Sequence, residues 1–307
     1  MTAPAETSGT PATDTRGLAL GFASHLLAGL SPFIVAEVIA RTDPLPGTAL
    51  VYSLGASVLA LLLLVPRWRQ RLGAETRRLT HPPLRGPFLS SLAGFLVAAV
   101  AYYIGLAGSG RVAEYVFLTR LDWVVQAPVA ILVLREPWTR AGLAGAALAL
   151  SGGLLIVWTG AVGTSGLIAA LCYVCASLAG YLGATRIARA RGLEGAVVLT
   201  VWRHWVNTAG FIALTLLLAP VAQRPDNPTL GLALVGGTVL LGLFLCRFVA
   251  LTRLPLWVLS AQAPIQALVA LAASRLTEGR IPPTTWLAIG LIVAGELFVA
   301  RGQRVKA

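Results

Sequence analysis

PFLSSLAGFLVAAVAYYIGLA, residues 87–107, runs for 21 positions without one charged side chain. As a helix it would be about 31 Å long, which matches a hydrocarbon core about 30 Å thick. In lipid a single crossing must satisfy its own backbone N–H and C=O groups, and an isolated segment does so only as a helix. Nine further stretches of the same kind place the spans at 17–40, 46–65, 87–107, 111–134, 140–158, 164–186, 195–219, 229–251, 255–275 and 283–301. Pro44 and Pro46, His81-Pro82-Pro83, Gly160 to Gly166, Pro225 to Pro228, and Gly279 with Pro282 and Pro283 punctuate them.

The rest of the composition agrees. With 57% hydrophobic residues, 12% charged residues and a mean hydropathy of +0.79, the chain is too apolar for a water-soluble fold of 307 residues. The expected class is an all-α integral membrane protein with membrane lipids as its surroundings. A net charge of +12 gathered on one face would point to nucleic acid. Here the basic residues lie in short connections, so no nucleic-acid partner is expected.

Those connections set an orientation. Of 24 Lys and Arg residues, sixteen fall on one side: Arg16, the group from Arg67 to Arg85, Arg135 and Arg140, the group from Arg186 to Arg191, Arg253, and the group from Arg301 to Lys306. Five fall on the other (Arg41, Arg111, Arg224, Arg275, Arg280), and Arg120, Arg203 and Arg247 lie within spans. Basic loops stay in the cytoplasm, so both termini are expected there, in a multi-pass protein of the inner (plasma) membrane. Residues 1–16 read as a disordered cytoplasmic tail and 302–307 as a short cytoplasmic tail. No cleavable signal peptide is expected before the first span.

Features recur between the halves. Ala127-Pro128-Val129 is followed by an apolar run, Glu136, a turn and a span ending in Ser151-Gly152-Gly153; Ala263-Pro264-Ile265 is followed by an apolar run, Glu278, a turn and a span carrying Ala294-Gly295. Two halves of five spans each, 17–160 and 161–301, insert upside down relative to one another because five is odd. The sequence therefore predicts ten transmembrane helices as two inverted five-helix repeats, an architecture of many secondary carriers.

With this layout, with Pro128 to Glu136 leading into a small-residue fifth span, and with Ala250-Leu251-Thr252-Arg253-Leu254-Pro255 leading into the ninth span, the chain resembles the EamA-type branch of the drug/metabolite transporter superfamily over about residues 17–301. The resemblance implies a carrier without ATPase domains that works by alternating access, commonly as an exporter of amino acids, drugs or other small metabolites. It also implies a central cavity lined by spans one, three, four, six, eight and nine. Arg120 and Asp122 depart from the family's pattern, in which the fourth span carries mostly apolar, aromatic or small residues.

Depth within the spans selects the candidate site. His25, Arg120, Asp122, Gln126, Asn207, Gln262 and Gln266 lie in the middle of their helices. An ionisable group there costs about 2.5–3.5 kcal/mol and turns towards a partner or a wet cavity. Glu114, Leu118, Asp122 and Gln126 recur every four residues and share one broad helix face. Burial disfavours a carboxylate's charge, which makes Asp122, with Glu114, the candidate for proton coupling; an ion pair locking the helices is the equal alternative. Arg120, about 160° from Asp122 on the helical wheel at 100° per residue, would hold a neighbouring carboxylate or an anionic group of the substrate.

Gln262 and Gln266 flank Pro264, whose missing N–H frees a carbonyl, so they would contact substrate or bond between helices. Pro32, Pro128 and Pro264 are the candidate hinges. Tyr102, Tyr103, Trp123, Tyr173, Tyr181 and Trp257, with Ser177, would supply rings and hydroxyls to a pocket or serve packing. Glu37 and Arg247 lie near span ends and are read as structural. Trp202-Arg203-His204-Trp205 reads as an interfacial anchor, with a gate as the alternative.

Cys172 and Cys175 fall within a span, where packing is the plain reading. His25, His81 and His204 are far apart, and no H-E-x-x-H, P-loop, G-x-G-x-x-G or G-x-S-x-G occurs. The expectation is a secondary transporter, not an enzyme, with a small-molecule substrate and neither cofactor nor metal. The other readings are a channel-like or facilitative pore and a membrane-embedded lipid-modifying enzyme.

Overall fold

The structure, a computed structural model, describes residues 15–109, 112–119, 121–135, 140–158, 162–219, 224–260, 262–277 and 283–304. Arg120, Glu136, Glu278, most of the N-terminal tail and the last three residues lie outside the described residues, and so does the side chain of Trp123. Among the described residues twelve helices and no strand occur. They are α1 (Thr15–Arg41), α2 (Pro44–Leu62), α3 (Pro66–Leu79), α4 (Arg85–Gly108), α5 (Val112–Thr119), α6 (Leu121–Leu134), α7 (Arg140–Trp158), α8 (Thr164–Leu218), α9 (Asn227–Leu251), α10 (Leu256–Ser260), α11 (Ala263–Thr277) and α12 (Pro283–Arg304).

Five of them, α1, α2, α4, α8 and α9, are long and apolar enough to cross a membrane. The distribution of polarity supports the same solvent. Leu132, Trp158, Leu216, Leu217 and Leu218 are exposed, whereas Glu114, Asp122, Arg203, His204, Asn207 and Arg247 are buried. In water that would leave a large apolar surface; in lipid it sends leucines outward and ionisable groups inward. The chain is an all-α, membrane-embedded protein.

Small residues set the helix crossings. The most extensive packing is α4 on α8, then α7 on α12 and α1 on α9. At the first crossing Ser91 Oγ donates to the carbonyl of Gly180 at 2.9 Å. A Cβ on Gly94 would lie 2.7 Å from both Ala176 O and Gly180 N, so two backbones touch where neither helix has a side chain to spare. Lipid tails are as apolar as leucine, and close van der Waals approach of this kind is what drives helices together in a bilayer.

Three elements differ from the sequence reading. The connection after the second span is a helix, α3, begun by Pro66 and carrying five arginines. Its Glu75 is buried and accepts from Arg191 Nε at 2.6 Å and Nη2 at 2.8 Å, while Trp202 Nε1 donates to Thr76 Oγ1 at 2.9 Å. Spans six and seven form one helical run, α8, turned at Gly192 (φ 56°, ψ −142°), a conformation a side chain resists. The ninth span is divided: Gln262 occupies a turn between α10 and α11, with i→i−3 bonds from Gln262 N to Leu259 O and from Ile265 N to Gln262 O. Pro264, in the first turn of α11, cannot donate to a carbonyl of the preceding turn.

The α3 anchor makes a testable prediction. The Arg191 guanidinium holds the Glu75 carboxyl below the usual carboxylate range. Such a group stabilises fully above the ordinary carboxylate pKa and loses its contribution as the pH falls through the depressed folded value. Glu75→Gln should cost about 2 kcal/mol near neutral pH, as expected for a charge-assisted pair. In detergent melts, the gap between wild type and E75Q should close between about pH 7 and about pH 3. An unchanged gap in acid would remove the carboxylate from the anchor.

Candidate functional site

A buried cavity lies where α1, α2 and α4 meet α8, α9 and α11. It measures about 60 Å³, room for a few waters. Five of the chain's six tyrosines line it: Tyr52, Tyr102, Tyr103, Tyr173 and Tyr181. Tyrosines of membrane proteins gather at the two interfaces, so this inward concentration calls for a local reason. The rings form a continuous wall: Tyr102 meets Tyr103 at 5.1 Å and Tyr173 at 5.3 Å between centroids, Tyr103 meets Tyr52 at 6.2 Å, and Phe95 meets Tyr181 at 5.2 Å. Edge-to-face and tilted contacts of this kind order the rings.

Two arginines enter the same space. Arg203, 4% exposed, stacks its guanidinium 3.1 Å from the Phe244 centroid and 5.2 Å from that of Phe95. Its Nε and Nη1 are buried with no acceptor among the described residues. Arg247, 3% exposed, donates from Nη1 to the Tyr181 hydroxyl at 2.6 Å. The burial of Arg203 and His204 corrects the reading of that cluster as an interfacial anchor, and Arg247, read above as structural, is buried as well. The signal was present in sequence: Thr200, Arg203, His204, Asn207 and Phe211 repeat at i, i+3, i+4, i+7 and i+11, and the structure buries all five. Tyr52 and Phe95 were also missed. The resemblance leaves the second and seventh spans out of the cavity, yet Tyr52 and Arg203 come from them.

Of the predicted site residues, the structure brings Tyr102, Tyr103, Tyr173, Ser177 and Gln266 to the cavity wall. Gln266 Nε2 donates to Ala28 O at 3.1 Å, which leaves Oε1 buried without a partner among the described residues. Gln262 Nε2 donates to Leu18 O at 3.2 Å, and His25 Nε2 donates to Leu259 O at 2.9 Å beside the break in the ninth span. These three bonds tie α1 to the broken span, so Gln262 serves interhelical bonding while Gln266 also faces the cavity.

Asp122 sits behind the wall. It is 1% exposed, and its Oδ2 accepts from Tyr173 OH at 3.3 Å and from Gln126 Nε2 at 3.3 Å. Glu114 accepts from Thr285 Oγ1 at 3.4 Å, on the side of α12. The shared face predicted for Glu114, Asp122 and Gln126 is buried, but none of the three lines the cavity. Trp257 in α10 is half-buried away from it. Pro32 lies inside α1 and Pro128 inside α6. Cys172 and Cys175 face outward.

No family model and no curated protein matches the chain. A solved structure named only "Crystal structure of protein" is similar in fold, with a TM-score of 0.67 at 15% identity, covering 95% of this chain and 99% of that one. A likeness of that extent speaks for a common helical architecture.

Proposed function

We propose that the protein is a secondary carrier of small organic molecules in the inner membrane, with both termini cytoplasmic and a central site between two inverted five-span halves. The observation that carries this reading is the cavity: aromatic, hydroxyl, amide and guanidinium groups from both halves converge on one space. Binding sites at the interface of two repeats are the common plan of alternating-access carriers.

The packing supports the symmetry. An exchange of the first five spans with the last five carries the α4–α8 crossing onto the α9–α1 crossing and returns α7–α12 to itself. These are the three most extensive contacts in the fold. The turn at Gln262 places irregular backbone beside the cavity residue Gln266, as discontinuous helices do at transport sites. The carrier belongs with the EamA-like exporters on this reading, with amino acids or related amphipathic compounds as solutes and Asp122 as the proton-responsive group.

Counterflow tests it. Proteoliposomes loaded with unlabelled amino acids and related organic acids and bases should take up trace labelled solute several-fold faster than empty vesicles, with saturation. Linear flux without such stimulation would make the protein a pore, and absence of any flux across the panel would reject transport of these classes.

A further inference from the structure

Among the described residues, the charged groups that line the cavity are both cationic. Two guanidinium groups line it, and none of its lining residues among the described ones is acidic. Asp122 stands one layer back, behind the Tyr173 hydroxyl, and Glu114 faces Thr285. A buried guanidinium is tolerated when its donors meet acceptors. Arg203 is held by the faces of Phe244 and Phe95, yet Nε and Nη1 have no acceptor among the described residues. Stacking on two ring faces leaves the in-plane N–H groups of the guanidinium to meet the oxygens of a planar or tetrahedral oxyanion. Opposite in character, Gln266 presents an amide oxygen: its nitrogen is committed to Ala28 O, so the oxygen accepts a donor from elsewhere.

Resting on the carrier reading for its physiological role, we propose that the cavity is a receptor for an organic anion, whose carboxylate or phosphate group meets Arg203 in plane under the added field of Arg247. In this state the cavity holds only a few waters, so the anion's apolar body comes to lie against Tyr102, Tyr103 and Phe95 once the cavity widens, with a donor group on it reaching Gln266 Oε1. Arg203 stacks on Phe244, which lies one helical turn before Arg247 in α9.

Equilibrium binding to the purified full-length protein in detergent tests the charge assignment without requiring transport. The probes are benzoate, phenyl phosphate, benzylamine and chloride, read by thermal shift and by tryptophan fluorescence. Benzoate or phenyl phosphate should bind at least tenfold tighter than benzylamine, and the stronger of the two identifies the acidic group. Arg203→Gln should weaken that anion at least tenfold, Arg203→Lys should weaken it less, and Arg67→Gln, on the exposed side of α3, should leave it unchanged. R203Q without ligand should melt no lower than wild type, because an arginine kept for a ligand is not kept for the fold. Should R203Q fail to fold, R203K with the same four probes carries the test.

Equal affinity for benzylamine and benzoate, wild-type anion binding by R203Q, or chloride competing as well as benzoate would overturn the proposal. Counterflow separates the two readings: exchange of benzylamine but not of the anions keeps the carrier and removes the anion site. Anion binding that depends on Arg203 without any exchange keeps the site and removes the carrier.

Discussion

Gly94→Val is expected to damage the α4–α8 crossing severely, lowering stability by about 3 kcal/mol. The added Cβ alone would lie 2.7 Å from a carbonyl oxygen and an amide nitrogen of α8, and backbone atoms of a packed helix have no rotamer to escape into. Relief would require α4 and α8 to separate. Separation would stretch the 2.9 Å bond from Ser91 to Gly180 and part the Phe95–Tyr181 contact on the cavity wall. Gly94→Ala should fall between this variant and wild type. Thermal melts of the purified proteins with a monodispersity check would measure the series. A G94V protein that melts with wild type would mean that the crossing is looser than its geometry.

Asp122→Asn should abolish accumulation driven by a pH gradient while leaving exchange in place. One charge moved across 100 mV is worth about 2.3 kcal/mol, enough for a gradient of roughly fiftyfold, so the expected change is from about fiftyfold accumulation to none. The geometry says why a residue outside the cavity could control it. Asp122 Oδ2 accepts from Tyr173 OH, and the Tyr173 ring lines the cavity and packs 5.3 Å from Tyr102. A protonated carboxyl carries a donor where the carboxylate had only acceptors, so the Tyr173 bond must reorganise with each proton taken up. Asparagine keeps the shape and an acceptor oxygen but cannot change its proton count. If Asp122 merely locked helices together, D122N would lower stability and impair exchange as well. Driven uptake equal to wild type would reject the coupling role outright.

Both effects concern residues that sequence reading reached unequally. Asp122 was conspicuous, because a carboxylate in the middle of an apolar helix has few cheap explanations. Gly94 was not, since one glycine in a small-residue span looks like any other until a second backbone is placed against it. The arginines show the same limit. Arg203 beside two tryptophans has the composition of an interfacial anchor, and although the Thr200-to-Phe211 stripe is written in the sequence, the helices that cover it are not. The α3 helix was hidden for a different reason. Its arginines suppress every apolar signal, and its order comes from contacts made elsewhere in the chain, Glu75 to Arg191 and Thr76 to Trp202.

Hydropathy by itself determined that this chain is a helical membrane protein, because the absence of water forces each crossing to satisfy its own backbone and each loop to hold the charges. It also marked the mid-span polar residues as costly. Only the tertiary structure decided which of them share a space. Five tyrosines, two arginines and Gln266 come from segments as much as 214 residues apart, and no local periodicity encodes a distance between helices. That distance is set where glycines let two backbones touch, a property of pairs of helices and not of either one.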